Sequence, residues 1–483
     1  MANIKSLAKD TAIYGLSSIV GRFLNYLLVP LYTHVISAAS GGYGIVTNLY
    51  AYTALILVIL TFGMETTFFR FANKQEENPN TVFWTSLTMV GVLSLTFLGG
   101  IFIAITPISH TLGYTDHPEY ILMMATVVAL DAIQAIPFCL LRYQKKAVKF
   151  ASLKLLFIVM NIGLNLLYFK VLGHTEVYYV FFLNLICTGL ITFFFIPDLL
   201  HMQVRVDLRL LRRMFSYSWP ILLLGIAGIL NQAADKMIFP LVYPDKKEAI
   251  SELAISAACV KVAMIVAMTT QAFRYAYEPF VFAQSKEQGQ TKTYALGMKY
   301  FVIFTLMAFL CVMAWLPALR YMVGADYWEG LRVVPIVMAA EIMMGIYFNL
   351  SFWYKLIDKT IYGAFFSIVG CVILLAVNLW GIPHMSYMAC AWGGFAGYGS
   401  AMILSYIVGQ KLNPIPYPLR SMACYLLLAG VLFILIELIP NDWSVLSQLA
   451  LGTILVGVYA TYTIRTDMPL RNIPVLGKYF RKR

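Results

Sequence analysis

The sequence predicts an all-α integral membrane protein with about fourteen transmembrane helices, and three observations carry this prediction. The chain of 483 residues contains fourteen apolar stretches of about 20 residues, the length that a helix needs to cross roughly 30 Å of hydrocarbon. Hydrophobic residues make up 60% of the chain and charged residues only 12%, against about 25% charged residues in a soluble domain. Lys and Arg fall almost entirely in alternate gaps between the apolar stretches.

Each apolar stretch is predicted to form one helix, because a helix satisfies all of its backbone hydrogen bonds internally where no water is present. In chain order, the predicted spans are 11–35, 43–66, 82–106, 119–141, 151–172, 176–200, 215–241, 250–274, 293–318, 330–352, 361–382, 385–408, 418–439 and 443–465. The first stretch is too long for a cleavable signal peptide, so none is expected.

The distribution of basic residues predicts the orientation of the spans. With the N-terminus placed in the cytoplasm, 26 of the 35 Lys and Arg residues lie in cytoplasmic gaps or in the C-terminal tail. Both termini are therefore predicted to be cytoplasmic by the positive-inside rule. The net charge of +12 is spread over short loops beside the membrane, so we expect contact with anionic membrane lipids and no nucleic-acid partner.

A weak internal repeat predicts the domain organisation. At a constant shift of 210 residues, Gly15 aligns with Gly225 in the seventh span, and Gly44 aligns with Ala254 in the eighth. Two six-helix halves with the same topology are a design found in secondary transporters. The predicted parts are an N-terminal six-helix bundle at 1–205, a C-terminal six-helix bundle at 206–412, and helices thirteen and fourteen with a cytoplasmic tail at 413–483.

Polar residues at equivalent depths in the first and seventh spans are candidates for substrate binding. Arg22 lies near the middle of the first span and shares a helix face with Ser18 and Asn25. The shift of 210 aligns Gln232 with Arg22 and Asp235 with Asn25. Because a charge at membrane depth costs about 2.5 to 3.5 kcal/mol on insertion scales, we expect these residues to line a cavity. The alternative is an interhelical ion pair or hydrogen bond that only fixes packing.

Lys261, near the middle of the eighth span, is a further candidate for substrate binding. Its ammonium group is expected to pair either with a phosphate of the ligand or with Asp235 on the preceding helix. Lys236 follows Asp235 directly in the sequence. Since neighbours in sequence point to different faces of a helix, Asp235 and Lys236 are not expected to pair.

Five further charged residues are assigned to coupling or gating. Asp131 and Glu341 are predicted to be lone carboxylates near the midplane, one in each half, and are candidates for coupling to protons; the alternative is a carboxyl group held by a local hydrogen-bond donor. Glu65, Arg70 and Arg274 lie at the cytoplasmic ends of their spans and are candidates for a cytoplasmic gate, with Glu65 able to stabilise Arg70. Snorkelling of such end residues to the headgroups is the simpler alternative.

Patterns for catalysis or metal binding are missing from the sequence. It contains no HExxH, GxSxG or P-loop motif. The seven cysteines lie in apolar spans without a CxxC motif, so we interpret them as core residues, with no metal site and no cofactor. The sequence therefore favours a non-enzymatic function, with coupling to protons or sodium left open.

Three passages resemble polysaccharide flippases of the multidrug/oligosaccharidyl-lipid/polysaccharide (MOP) exporter superfamily. The segment 10–32, with Gly15, Gly21 and the ending Pro30-Leu31-Tyr32, is similar to the first helix of that family. Gly42-Tyr43-Gly44, Phe62-Gly63-Met64 and Arg70-Phe71 resemble its second helix. The segment 327–335 with Gly345-Ile346-Tyr347-Phe348 resembles the entry to its tenth helix.

The resemblance implies a V-shaped pair of six-helix bundles with two extra C-terminal helices, in the bacterial inner membrane. The implied substrate is an oligosaccharide joined by pyrophosphate to a polyprenol, moved to the outer leaflet by alternating access for surface polysaccharide or lipopolysaccharide biosynthesis. Arg22 and Lys261 are then expected to bind the pyrophosphate, and Asn25, Gln232 and Asp235 to bind sugar hydroxyls or act in gating. Other polysaccharide biosynthesis proteins are expected partners.

Three alternatives remain open. Lipid II flippases of the same superfamily also have fourteen spans, but they typically carry an Arg-Asp pair late in the first helix, where this chain has Arg22 and then Asn25. Multidrug exporters usually have twelve spans and often an acidic residue in that helix. A membrane-embedded polysaccharide polymerase or glycosyltransferase is expected to have a large outer loop, whereas the longest outer gaps here, at 107–118 and 243–252, are short.

Overall fold

The computed structural model describes residues 28–200, 202–246, 248–283, 290–357, 359, 361–440 and 442–467, and these residues form helices and connecting loops without a strand. The α-helices are α1 (Leu28–Val35), α2 (Gly42–Thr61), α3 (Met64–Ala72), α4 (Pro79–Ile103), α5 (Ile105–Leu112), α6 (Pro118–Tyr143), α7 (Ala147–Asn165), α8 (Tyr178–Leu200), α9 (Leu208–Val242), α10 (Ala249–Ala283), α11 (Gln290–Leu319), α12 (Val334–Leu350), α13 (Phe352–Leu356), α14 (Ile361–Met385), α15 (Met388–Leu412), α16 (Leu419–Glu437) and α17 (Val445–Thr466).

The predicted all-α membrane fold is confirmed. Within the described residues, twelve helical segments are long and apolar enough to cross a membrane. They correspond to predicted spans two to eleven, thirteen and fourteen. The twelfth predicted span forms α15, a glycine-rich helix of 25 residues, and only the end of the first span, α1, lies inside the described part of the chain.

A break in the second span separates α2 from α3. Phe62 has a φ of 50° and Gly63 a φ of 67°, so both lie in the left-handed region that ends a helix. Gly63 also faces α9 closely, because a Cβ atom at this position would lie 3.0 Å from the side chain of Ile221. The hydrophobic pattern predicts residues 43–66 as one span and does not predict this break.

The chain divides into two compact units, with the boundary between Ala257 and Ala258, inside α10. In the first unit, α3 packs through Met64 and Phe68 into a core with α4, α6 and α9. The same unit contains a close approach of α2 to α10, where a Cβ atom on Gly44 would lie 2.2 Å from the backbone oxygen of Ile250. Gly44 is also in contact range of Ala254, the residue with which the predicted repeat aligns it. The domain boundary predicted at 205/206 stays a prediction.

In the second unit, the two C-terminal helices α16 and α17 pack against α11. Gly452 of α17 lies so close to α11 that an added Cβ atom would be 3.0 Å from Ala314. The Tyr459 hydroxyl donates a hydrogen bond to the carbonyl oxygen of Ile303 over 3.1 Å. At the end of α17, Asp467 forms an ion pair with Lys299 of α11. These contacts make α16 and α17 part of the second unit.

Candidate functional site

The predicted substrate-binding residues lie in different parts of the structure. Arg22 and Asn25 fall outside the described residues. Gln232 and Asp235 lie three residues apart on α9, where the spacing places them on one face; Gln232 is exposed and Asp235 is partly buried. Lys261, on the part of α10 that belongs to the second unit, is partly buried and has an interaction partner.

Asp235 and Lys236 form an ion pair, so the prediction that they do not pair is wrong. The Lys236 Nζ atom lies 3.0 Å and 3.1 Å from the two carboxylate oxygens of Asp235. It also donates a hydrogen bond to the carbonyl oxygen of Gln232 over 3.1 Å. The reason is that side chains on a helix lean toward its N-terminus, and the flexible four-carbon stem of Lys lets the ammonium turn back toward the preceding residue.

A hydrogen-bond network fixes the same stretch of α9 against α2. The Asn48 amide donates to the carbonyl oxygen of Lys236 over 2.7 Å, and the Tyr52 hydroxyl donates to that of Met237 over 3.1 Å. Asn48 accepts in turn from the Tyr114 hydroxyl over 2.9 Å. Burial raises the pKa of Tyr114, which keeps this loop hydroxyl protonated as a donor. These residues are not among the predicted site residues, although an Asn inside an apolar span is a signal for such a contact.

Asp131 on α6 is not a lone carboxylate. It interacts electrostatically with Lys154 of α7, and the Lys154 Nζ atom lies 3.9 Å from the centre of the Phe138 ring. From its sequence position, only a few residues after the start of its span, Lys154 is assigned to the cytoplasmic basic residues. Glu341, partly buried on α12, also has an interaction partner. The prediction that Asp131 and Glu341 are lone carboxylates is therefore wrong.

Amide and hydroxyl groups cluster inside the first unit near Asp131. The Tyr50 hydroxyl accepts a hydrogen bond from Asn184 over 2.7 Å. Gln134, one turn after Asp131, donates to the carbonyl oxygen of Thr188 over 2.9 Å. The Tyr32 hydroxyl of α1 donates to the side chain of Asn165 on α7 over 2.8 Å. These bonds link α1 to α7, and both α2 and α6 to α8.

The predicted gate residues have aromatic and charged partners. Glu65 on α3 forms an ion pair with Arg142 of α6 at 3.2 Å, and not with Arg70, which it was expected to stabilise. The Arg70 guanidinium instead lies 4.0 Å from the centre of the Tyr217 ring on α9. In the second unit, the Arg274 guanidinium lies 4.7 Å from the centre of the Phe348 ring. A gating role for these residues stays a prediction.

In the part of the chain that the structure describes, no group of three or more His, Cys, Asp or Glu side chains is placed to hold a metal ion. Among the described residues of the first unit, Glu65 pairs with Arg142 and Asp235 with Lys236, as expected where charges lie within apolar helices.

Known structures with a similar fold are transporters and flippases. A lipid II flippase, MurJ, in an inward closed conformation is similar with a TM-score of 0.68 and 14% identity, over 94% of this chain and 98% of that one. An inward-facing multidrug resistance MATE transporter of the MOP superfamily is similar with a TM-score of 0.62 and 13% identity, over 83% of this chain and 97% of that one. A MOP superfamily transporter from Pyrococcus furiosus is similar with a TM-score of 0.55 and 13% identity, over 83% of this chain and 95% of that one.

The sequence itself matches one family model. No curated protein matches the sequence. The model for polysaccharide biosynthesis proteins matches residues 7–277, which is more than half of the chain. With the structural similarity, this match confirms the resemblance to the MOP superfamily. The chain thus belongs to the polysaccharide biosynthesis protein family and is built on the fold of the MOP transporters.

Proposed function

We propose that this protein is a flippase that moves a polyprenyl-pyrophosphate-linked oligosaccharide from the cytoplasmic to the outer leaflet by alternating access. The observation that supports this most strongly is the combination of a polysaccharide biosynthesis family match with a transporter fold. The transported lipid serves surface polysaccharide or lipopolysaccharide biosynthesis, and the reaction forms and breaks no covalent bond. Proteins that build or polymerise the same oligosaccharide are the expected partners.

The chemistry of the interior suits such a substrate. A pyrophosphate needs positive charge within the membrane, which Arg22 and Lys261 supply in this proposal. Sugar hydroxyls need amides and carboxylates as hydrogen-bond partners, which Asn25, Gln232 and Asp235 supply. The pairing of Asp235 with Lys236 leaves this stretch of α9 with little net charge, as suits the binding of a neutral sugar.

We place the protein in the bacterial inner membrane with both termini in the cytoplasm, on the basis of the distribution of Lys and Arg. Asp131 and Glu341 are proposed as the residues that couple transport to protons. Glu65, Arg70 and Arg274 are proposed to act at the cytoplasmic gate.

A lipid II flippase is the second candidate, and one observation favours it. The match to the lipid II flippase structure covers 94% of this chain, whereas the match to the inward-facing MATE transporter covers 83%. Both candidates carry a polyprenyl pyrophosphate, so they differ in the sugar and peptide part that the protein must accommodate.

Reconstitution in liposomes tests the proposal against both alternatives. The purified protein is given a fluorescent polyprenyl-pyrophosphate oligosaccharide or fluorescent lipid II, and transfer to the far leaflet is followed by quenching with an impermeant reductant. We expect faster transfer of the oligosaccharide lipid, and mass spectrometry of the extracted lipid should show an unchanged chain length. Preference for lipid II would favour the second candidate, and lengthened chains would indicate a polymerase.

A further inference from the structure

The connection between α8 and α9 exposes apolar side chains beside the predicted cytoplasmic surface of the membrane. The two helices end at Leu200 and begin at Leu208, and both are long and apolar enough to cross a membrane. A connection over 201–207 cannot carry the chain far from the headgroups, because each residue spans at most about 3.5 Å. Val204 is 66%, Val206 43% and Leu208 74% exposed. Since exposed apolar area is unfavourable in water, these side chains favour the hydrocarbon edge of the interface.

Exposed arginines lie among these apolar side chains. Arg205 is within the connection, and Arg209 and Arg212 follow three residues apart at the start of α9, where they share a helix face. Within the part of the chain that the structure describes, none of the three forms an ion pair. The acid of this segment, Asp207, caps α9 by accepting hydrogen bonds from the backbone of Arg209 and Leu210 over 2.7 Å and 3.2 Å. The surface is therefore cationic as well as apolar.

Contacts with α4 hold the connection in place. The Asn80 amide donates a hydrogen bond to the carbonyl oxygen of Gln203 over 2.7 Å. At the other end, the backbone N–H of Asp207 donates to the Thr85 hydroxyl over 3.2 Å. The exposed side chains therefore extend from a backbone that is fixed at both ends, which lowers the entropy that is lost on binding a ligand.

The neighbouring connection, between α3 and α4, has a different composition. Residues 73–78 read Asn-Lys-Gln-Glu-Glu-Asn and include no apolar side chain. The two connections adjoin, because Glu77 pairs with Arg213 of α9 at 2.6 Å. A polar composition is usual for a loop that runs through water. Exposed apolar side chains are thus a specific feature of the connection between α8 and α9, and they indicate contact with lipid.

We propose that residues 202–212 form a binding surface for an anionic phospholipid of the cytoplasmic leaflet. The three arginines bind the phosphate of its headgroup, and the exposed apolar side chains lie against its acyl chains. Charge and polarity together select this ligand, because apolar side chains need lipid tails and the cations beside them need an anionic headgroup. The bound lipid belongs to the bilayer and is not the transported one, so this surface is independent of the proposed function.

Native mass spectrometry of the full-length protein tests the binding of the headgroup. The delipidated protein in detergent is titrated with phosphatidylglycerol and, separately, with phosphatidylcholine that has the same acyl chains. We expect the first phosphatidylglycerol to bind at least about tenfold more tightly than the first phosphatidylcholine. R205Q, R209Q and R212Q should each weaken the binding of phosphatidylglycerol by up to about fivefold, the factor for one cation at an anionic surface. The triple variant should lose the preference.

Lys146→Gln is the matched control, because Lys146 is exposed on the connection between α6 and α7 and lies outside the proposed surface. This variant should bind phosphatidylglycerol within about twofold of the native protein. An equal loss in K146Q and R209Q would indicate diffuse attraction to all basic loops and would overturn the site. An unchanged preference in the triple variant, folded by size-exclusion chromatography, would overturn it as well.

Fluorescence quenching in liposomes tests the contact with acyl chains. A dye is attached at Val206→Cys or, as the control, at Gln75→Cys on the neighbouring connection, after the exposed Cys311 and Cys424 have been replaced by serine. The chain without an added cysteine gives the background. We expect nitroxide-labelled acyl chains to quench the dye at position 206 at least about twofold more than the dye at position 75, and aqueous iodide to do the reverse. If iodide quenches both dyes equally and the nitroxide lipid quenches neither, position 206 lies in water, and a cytoplasmic protein replaces the lipid as the partner of this surface.

Discussion

Two carboxylates in the described apolar spans of the first unit have a Lys as their charged neighbour, since Asp131 interacts with Lys154 and Asp235 pairs with Lys236. Composition and depth identified Asp131 and Asp235 as charges that need partners, because an isolated charge in hydrocarbon is costly. The sequence contains Lys154 and Lys236 but does not show that Lys154 interacts with Asp131 and Lys236 with Asp235. The partner depends on how far a flexible Lys stem reaches and on how the helix is rotated, and neither quantity can be read from spacing.

The electrostatic interaction of Asp131 with Lys154 allows packing and coupling roles to be separated. Asp131→Asn removes the carboxylate and leaves the Lys154 ammonium without this attraction, so we expect the melting temperature to fall by a few degrees. Adding Lys154→Met should restore most of the loss, because both charges are then gone. If Asp131 carries protons, transport by the double variant should lose the pH dependence of the native protein. A double variant with the native pH profile would show that Asp131 is structural.

At the scale of the helices, the length of each apolar stretch predicted where helices lie, because the thickness of the bilayer fixes the length of a span. The helix ends were less predictable. For example, α9 begins at Leu208, where the Asp207 side chain accepts hydrogen bonds from the backbone of Arg209 and Leu210, whereas the predicted span began at 215. Polar first turns lie outside a hydrophobicity pattern, so capping residues are the better signal.

Replacing a glycine by alanine should cost more stability where two helices are in close contact than where the glycine faces open space. Gly44→Ala places a Cβ atom 2.2 Å from the Ile250 oxygen and 2.9 Å from the Ala254 nitrogen. Because both are backbone atoms, α2 and α10 must move apart, and we expect a loss of at least about 1 to 3 kcal/mol of stability. Thermal unfolding of the purified variant measures this loss.

Gly91→Ala on α4 is the control, since nothing lies within 4 Å of the added atom. Alanine favours helix over glycine by about 1 kcal/mol, so this variant should be as stable as the native protein or slightly more stable. Equal stability of the two alanine variants would contradict the close contact of α2 with α10.

The attachment of the C-terminal helices to α11 depends on Asp467. Its carboxylate pairs with Lys299 and accepts a hydrogen bond from the buried Tyr425 hydroxyl over 2.7 Å. Asp467→Asn should destabilise the protein by about 1 to 3 kcal/mol, because it leaves a largely buried ammonium without its anion. Asp442→Asn, at an exposed loop position, should change the melting temperature by less than the experimental error. The same melting temperature for both variants would show that this ion pair does not stabilise the protein.

At the scale of the whole molecule, the fold was predictable and the site only partly so. Lys355 lies far from Thr270 and Arg274 in the sequence, and only the packing of the helices shows that all three line one pocket. Arg274 was recognised from its charge in a span, whereas a Thr in an apolar helix is too common to carry a prediction.

The predicted orientation places two exposed loop positions on opposite sides of the membrane. Lys246 lies in a gap assigned to the outside and Arg205 in one assigned to the cytoplasm, and both are exposed. In intact cells, an impermeant thiol reagent should label Lys246→Cys above the background of the native chain and leave Arg205→Cys at that background until the cells are permeabilised. Labelling of Arg205→Cys in intact cells would invert the topology and the direction of transport that we propose.

The initial rate of leaflet transfer in liposomes is the most direct measure of the central claim. With about one protein per vesicle, a polyprenyl-pyrophosphate oligosaccharide should reach the opposite leaflet at least about tenfold faster than in protein-free vesicles of the same lipid. An equal rate in the two preparations, with the protein folded and inserted, would contradict the account.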